Sequence, residues 1–95
     1  MNKMPTLSKE VVIVNELGLH ARTAAMITKI AQEASSKVWV TKDGERVDAS
    51  SVVDILTLAC EKNTRIFIEI DDPSDINILN NIEKLIESGF GEDVT

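Results

Sequence analysis

His20 is the only histidine in this chain of 95 residues. It lies in the stretch Asn15-Glu16-Leu17-Gly18-Leu19-His20-Ala21-Arg22-Thr23-Ala24-Ala25, with a glycine two residues before it and an arginine two residues after. A β-branched run precedes the stretch and a helical repeat follows from Ala21, which places His20 at or beside a helix N-cap. The first amide N–H groups of a helix have no partner within the helix, and the helix dipole adds partial positive charge there. An anion beside His20 would meet the amides of Ala21 and Arg22 and the Arg22 side chain. The same field opposes an imidazolium, which keeps the ring neutral and nucleophilic near neutral pH. Gly18 lets the backbone turn without a Cβ clash, and Ala21, Ala24 and Ala25 are small enough to leave the imidazole accessible. These features suit a histidine that accepts a phosphoryl group on a ring nitrogen and hands it on. The residues alone also leave open the commoner role of a capping or surface histidine. A metal site would need companion ligands, and there is no second histidine and no CxxC pair. A Ser-His-Asp or Cys-His hydrolase would have to recruit Cys60 or a distant serine, and nothing marks such a triad.

The elements that must position His20 can be read from periodicity. Residues 1–8, with Pro5, read as a flexible tail. Glu10-Val11-Val12-Ile13-Val14 reads as a buried strand. Ala24, Ile27, Ile30, Ala31 and Ala34 give one apolar face of a helix that starts at Ala21 and ends at Ser35-Ser36, with Lys29, Gln32 and Glu33 on the wet side. Asp43-Gly44 is a two-residue turn signal. Counting outward from it pairs Thr41 with Arg46, Val40 with Val47 and Val38 with Ala49, which puts the valines and Ala49 on a core face and Trp39 on the other. Ser50-Ser51 precedes a short helix over 52–59, and Asn63 is a left-handed stop. Ile66, Ile68 and Ile70 alternate with Phe67 and Glu69 in a further strand. Asp72-Pro73-Ser74-Asp75 starts a last helix carrying Ile78, Leu79, Ile82, Leu85 and Ile86, which ends at Ser88-Gly89. The order β-α-β-β-α-β-α predicts an α+β fold: an open-faced β-sandwich with a four-stranded antiparallel sheet covered on one face by three helices. Trp39 and Phe67 would lie together on the open face.

Composition narrows the function classes. The length predicts one domain over residues 1–95, and 43% hydrophobic residues supply one modest core. The net charge is −6, from 10 basic and 16 acidic residues, and no basic cluster exceeds two residues, which argues against nucleic acid as the main partner. No apolar run approaches the roughly 18 residues of a membrane span. The first residues, MNKMPTLSKE, lack the apolar segment of a signal peptide, and the single cysteine fits a reducing compartment, so a cytoplasmic protein with no metal site is expected. Cys60 reads as a small buried apolar residue.

The segment Gly18-Leu19-His20-Ala21-Arg22-Thr23-Ala24-Ala25 resembles the active-site signature of the histidine-containing phosphocarrier protein (HPr) family of the bacterial phosphotransferase system, G-[LI]-H-[AT]-R-P-A. The resemblance runs from about Glu10 to the C-terminus and includes the Asp43-Gly44 hairpin, the Ser51-Val52-Val53 helix start and the closing helix. It implies a covalent phosphate on Nδ1 of His20 and no cofactor, with Arg22 pairing with the phosphoryl oxygens. It implies Enzyme I as donor and the A component of a sugar permease, or a regulatory relative, as acceptor. Val52 and Val53, with Ala21, Thr23 and Ala25, would form the docking surface of a monomer. Adjacent valines on a short helix cannot both face the core, so one of them should be exposed. Such a chain is a phosphoryl-transfer protein more than a stand-alone enzyme. A regulatory paralogue that controls nitrogen or carbon regulators is the alternative, and a small acyl-phosphate hydrolase is a third class. Thr23 departs from the family, which has proline there; the change reads either as mild loss of rigidity or as an added donor near the phosphate. Gln32, Ser50 and Asp54 stand where better-known relatives carry lysines. Ser51 matches a position that a dedicated serine kinase phosphorylates in some members, but its neighbours match those members only in part and it reads first as a helix cap.

Overall fold

The computed structural model describes residues 7–92. Its strands are β1 (Ser8–Val12), β2 (Val38–Lys42), β3 (Glu45–Asp48) and β4 (Arg65–Ile70), and its helices are α1 (Ala21–Ala31), α2 (Val52–Thr57) and α3 (Ile76–Glu87). The strands form one antiparallel sheet in the order β1-β4-β2-β3. Helix α1 packs against both other helices, and α3 lies over β1 and β4. The architecture is the expected α+β sandwich with one open sheet face.

Alternation in the strands builds the core. Val11, Val38, Val40, Ile66, Ile68 and Ile70 are buried beneath the helices, where they meet Ala24, Ile27 and Ala31 of α1, Ile55 of α2, and Leu79, Ile82 and Ile86 of α3. Burying a side chain of this size is worth about 2–3 kcal/mol. The β2–β3 register is the one counted from the turn, with Val40 opposite Val47 and Thr41 opposite Arg46. Asp43 and Gly44 both have positive φ, 51° and 82°, as a type I′ turn requires.

Some boundaries differ from expectation. Of the tail read over 1–8, residues 1–6 lie outside the described residues, while Ser8 already belongs to β1 and the Leu7 carbonyl accepts the Ile70 amide at 2.9 Å. Val12 faces out and Val11 and Ile13 face in, so the run taken as wholly buried alternates. Helix α1 stops before Ser35, with Gln32 as its C-cap. Helix α2 stops at Thr57; Ala59 takes the first left-handed step after it, with φ 52°, and Asn63 takes the left-handed conformation expected of it, with φ 73°. Lys42 reaches these last turns and donates to the carbonyls of Leu58 (2.8 Å) and Ala59 (3.2 Å), a favourable place for a cation. Phe67 is exposed on the open face, as is part of Trp39. The Trp39 ring lies 4.1 Å from the Arg46 guanidinium, and its indole N–H donates to Asp71 at 3.0 Å.

Two carboxylates organise the turns. Asp75 is buried and accepts the amides of Ser35 (2.9 Å) and Ser36 (3.1 Å), tying the exit of α1 to the start of α3, and these hydrogen bonds hold its carboxyl below the usual range. Asp48 accepts from Lys37 (2.8 Å) and from the Ser50 amide and hydroxyl (2.8 and 2.7 Å), which shapes the turn into α2. The Lys37 hydrogen bond, then those from Ser50, lower the Asp48 carboxyl to about 2 from an ordinary 3.8. A carboxyl lowered on folding stabilises the fold fully above its unfolded value, and that contribution disappears as the pH falls through the folded value. Asp48→Asn should therefore lower stability at neutral pH and flatten the stability profile between about pH 4 and pH 2. Urea unfolding at a series of pH values would show this; parallel wild-type and variant profiles would contradict it.

Candidate functional site

The connection from β1 to α1 is stitched to the connection from α2 to β4. Ile13 donates to Thr64 (2.9 Å), Asn63 to Ile13 (2.7 Å) and Leu19 to the Cys60 carbonyl (2.8 Å). Gly18 makes the close approach possible. Its φ is +66°, and a Cβ there would fall 2.4 Å from the Cys60 carbonyl oxygen. Cys60 itself is buried, and burial pushes its thiol up. Gly18→Ala should cost on the order of 3 kcal/mol, from left-handed strain and the collision together. Chemical denaturation would measure it, and a loss below about 1 kcal/mol would mean that the loops part easily.

His20 is the N-cap of α1, with an extended backbone at φ −118° and ψ −174°. Its Nδ1 accepts the Arg22 amide N–H over a long 3.3 Å. A nitrogen that accepts carries no proton, so this contact fits the tautomer with its proton on Nε2. Nε2 faces the Glu92 carboxylate, with Oε2 at 3.1 Å. The side chain of His20 is one third exposed.

Glu92 arrives from the C-terminal end. After α3 comes a tight turn, Gly89–Gly91, in which Gly89, Phe90 and Gly91 all have positive φ. Phe90 is buried in the core and anchors the turn. Glu92 then pairs with the Arg22 guanidinium and accepts from the Asn15 amide at 2.9 Å as well as facing His20. The Asn15 hydrogen bond first, then those of Arg22 and His20, hold the Glu92 carboxyl below its ordinary value. Asn15 is fully buried and donates also to the Gly18 carbonyl at 2.9 Å.

Thr23, expected on the docking surface, is fully buried and cannot meet a partner. Its hydroxyl accepts the His20 amide at 3.0 Å and lies 3.1 Å from the Gly18 carbonyl, to which it donates. The threonine therefore completes a reciprocal capping box around His20. The rigidity that a proline would bring is supplied here by hydrogen bonds. The hydroxyl points into the backbone and is not an added donor at the His20 ring. Thr23→Val keeps the shape and removes the hydroxyl, and a loss of about 1–2 kcal/mol is expected in thermal or urea unfolding. No measurable loss would mean that the cap contributes nothing.

The other expected surface residues divide as follows. Ala21, Ala25 and Val53 are exposed, Val53 at 70%, and Val52 packs partly against the core, as adjacent valines on a short helix require. Leu17 (71% exposed) and Leu56 are further exposed apolar residues not singled out in the sequence; Leu56 shares a helix face with Val53. Ser51 caps α2, its hydroxyl accepting the Asp54 amide at 3.2 Å. Asn15 and Glu92 are the site residues that sequence reasoning missed. Among the described residues no group of His, Cys, Asp and Glu could hold a metal ion, and no helix is long and apolar enough to cross a membrane.

A family model described as PTS HPr component phosphorylation site matches residues 7–88. The chain belongs to the HPr family. It is 37% identical over 86 residues to phosphocarrier protein HPr of Neisseria meningitidis, covering 90% of this chain and 97% of that one. It is 34% identical over 89 residues to phosphocarrier protein NPr of Klebsiella oxytoca, covering 93% and 99%. The HPr structure from Thermoanaerobacter tengcongensis superposes with a TM-score of 0.85 at 32% identity, over 90% of this chain and 97% of that one. The family matches support a phosphocarrier role in the phosphotransferase system.

Proposed function

We propose that this HPr-family chain takes a phosphoryl group from phosphorylated Enzyme I on Nδ1 of His20 and passes it to the A component of a sugar permease. One observation carries the reading: the unprotonated nitrogen of the ring, Nδ1, faces the first amides of α1, beside Arg22. In the forward step the Nδ1 lone pair forms a bond to phosphorus. The bond from phosphorus to the donor breaks, and its electron pair stays on the donor. The ring keeps its Nε2 proton and becomes cationic. The amides of the α1 start then face the phosphoryl oxygens, and the Arg22 guanidinium, paired with Glu92 in the resting site, would turn from it to join them. Transfer onward reverses the same bond changes.

The surroundings fit a protein as exchange partner. Leu17, Val53 and Leu56 are exposed apolar side chains, and exposed apolar surface of this kind supports docking. Two surface depressions of about 400 Å³ each lie elsewhere, one lined by Glu10, Arg65 and Glu87 and the other by Gln32, Lys37 and Ser50. The likeness to an NPr as well as to HPr proteins supports a second reading, in which the acceptor is a regulator of nitrogen or carbon use and not a permease. A phosphate on Ser51 would displace its capping role and set a dianion beside exposed Val53, so a serine kinase acting there would oppose docking.

Incubation with phosphoenolpyruvate and Enzyme I, followed by intact-mass measurement, tests the proposal. One added phosphate is expected, labile in acid, stable in base and absent in His20→Ala. Arg22→Ala should slow transfer roughly a hundredfold, the usual loss when one charge-stabilising group is removed. Supplying a permease A component and a regulatory relative in separate reactions would then identify the acceptor. No phosphate from any Enzyme I would defeat the reading.

A further inference from the structure

An imidazole offers two nitrogens, and a carrier that exchanges one phosphoryl group with two partners needs a single one presented each time. The Arg22 amide alone is a weak selector of tautomer, because its contact with Nδ1 is long at 3.3 Å. The stronger constraint comes from the other side of the ring. A carboxylate can only accept, so Glu92 Oε2, 3.1 Å from Nε2, requires the proton to be there. Glu92 is itself held firmly. Asn15 fixes its Oε1 at 2.9 Å, Arg22 pairs with its Oε2, and Phe90, two residues earlier, is buried in the core. Only 11% of the Glu92 side chain is exposed. The residue lies beyond the segment that the family model covers, which ends at residue 88.

We propose that Glu92 is a positioning residue that commits His20 to the Nε2–H tautomer and so assigns the phosphoryl group to Nδ1. Its action on transfer rests on the carrier reading above; its action on the ring does not. The arrangement follows the general logic of a carboxylate that orients a histidine and faces the positive charge the ring acquires. As the Nδ1–phosphorus bond forms and the donor's bond breaks, the Nε2 proton stays on the ring and the cation develops against the carboxylate. Glu92 touches neither phosphorus nor donor. A simple tether for the chain end would need Asn15, Arg22 and Phe90 but not Nε2.

The single histidine makes the test direct, since every imidazole nitrogen signal belongs to His20. Long-range proton–nitrogen correlation spectra of ¹⁵N-labelled protein at alkaline pH separate the two tautomers. The wild type should show the Nε2–H form. Glu92→Ala should shift the tautomer ratio on the order of tenfold toward Nδ1–H, matching the loss of one hydrogen bond to a charged group. Glu92→Gln keeps an acceptor oxygen and should restore the ratio, a rescue that a purely structural tether would not predict. In transfer from Enzyme I, Glu92→Ala should lower the maximal rate by a similar factor with the half-saturating concentration unchanged, and Glu92→Gln should recover only part of it, because the charge is missing. Ring spectra of Glu92→Ala that superpose on the wild type would overturn the proposal. A shifted tautomer with an unaltered rate would overturn its part in transfer. If even the wild type accepts no phosphoryl group, the carrier reading falls, and the ring spectra still decide the tautomer.

Discussion

The start of α1 leaves amide N–H groups without intrahelical acceptors, and the side chain that answers them is the imidazole of His20. Everything around the site follows from using the nucleophile as the cap. A capping side chain has to sit at a fixed angle to the helix axis, so the backbone on both sides must be held. Thr23 holds it from within the helix by returning a hydrogen bond to the His20 amide. Gly18 and the Cys60 carbonyl hold it from behind, through an approach too close for any side chain. The same amides that the cap partly satisfies are the ones an incoming phosphoryl group can use. In the proposed transfer, capping and anion binding are one geometry seen before and after.

The replacement of proline by threonine shows how this constraint can be met in two ways. Proline lowers the freedom of the unfolded chain and fixes φ in the first turn. Threonine gives up that restriction but supplies a buried hydroxyl with two satisfied contacts, to the His20 amide and the Gly18 carbonyl. Both solutions immobilise the residue before the helix. The threonine solution links the helix start to the glycine turn, so that the loop and the cap move together.

Much of this was legible in the sequence. The Asp43-Gly44 turn set the β2–β3 register because a two-residue loop admits only one pairing, and the alternation of Ile66, Ile68 and Ile70 could face only one way. The position of His20 as cap followed from where the β-branched run gives way to the helical repeat. What escaped notice has a common physical character: contacts between residues far apart in the chain. Glu92 lies 72 residues from His20 and gives no local signal beyond an acidic residue after two glycines. Asn15 carries no local signal either; its burial and its amide, shared between Gly18 and Glu92, emerge only from the fold. The family resemblance puts Thr23 on the docking surface, and only the packing of the neighbouring elements shows that it points inward. The Trp39–Arg46 stack escaped notice for the same reason, since cross-strand register alone does not say which long side chain folds over a ring.

A carrier differs from an enzyme in having to release what it binds, and the site's electrostatics match that requirement. A deeply buried cationic pocket would hold a phosphoryl group against any acceptor, because charges attract far more strongly in a low dielectric. Here the Arg22 side chain is 68% exposed, so water and salt screen its pull on an anion. The ordered half of the site lies on the opposite side of the ring, where Asn15 and Phe90 hold the Glu92 carboxylate in a largely buried position. Geometry is thus built around Nε2, while the Nδ1 side, where the proposed transfer takes place, is left more open. That division would let the ring be presented identically to the proposed donor and acceptor without making either transfer strongly downhill.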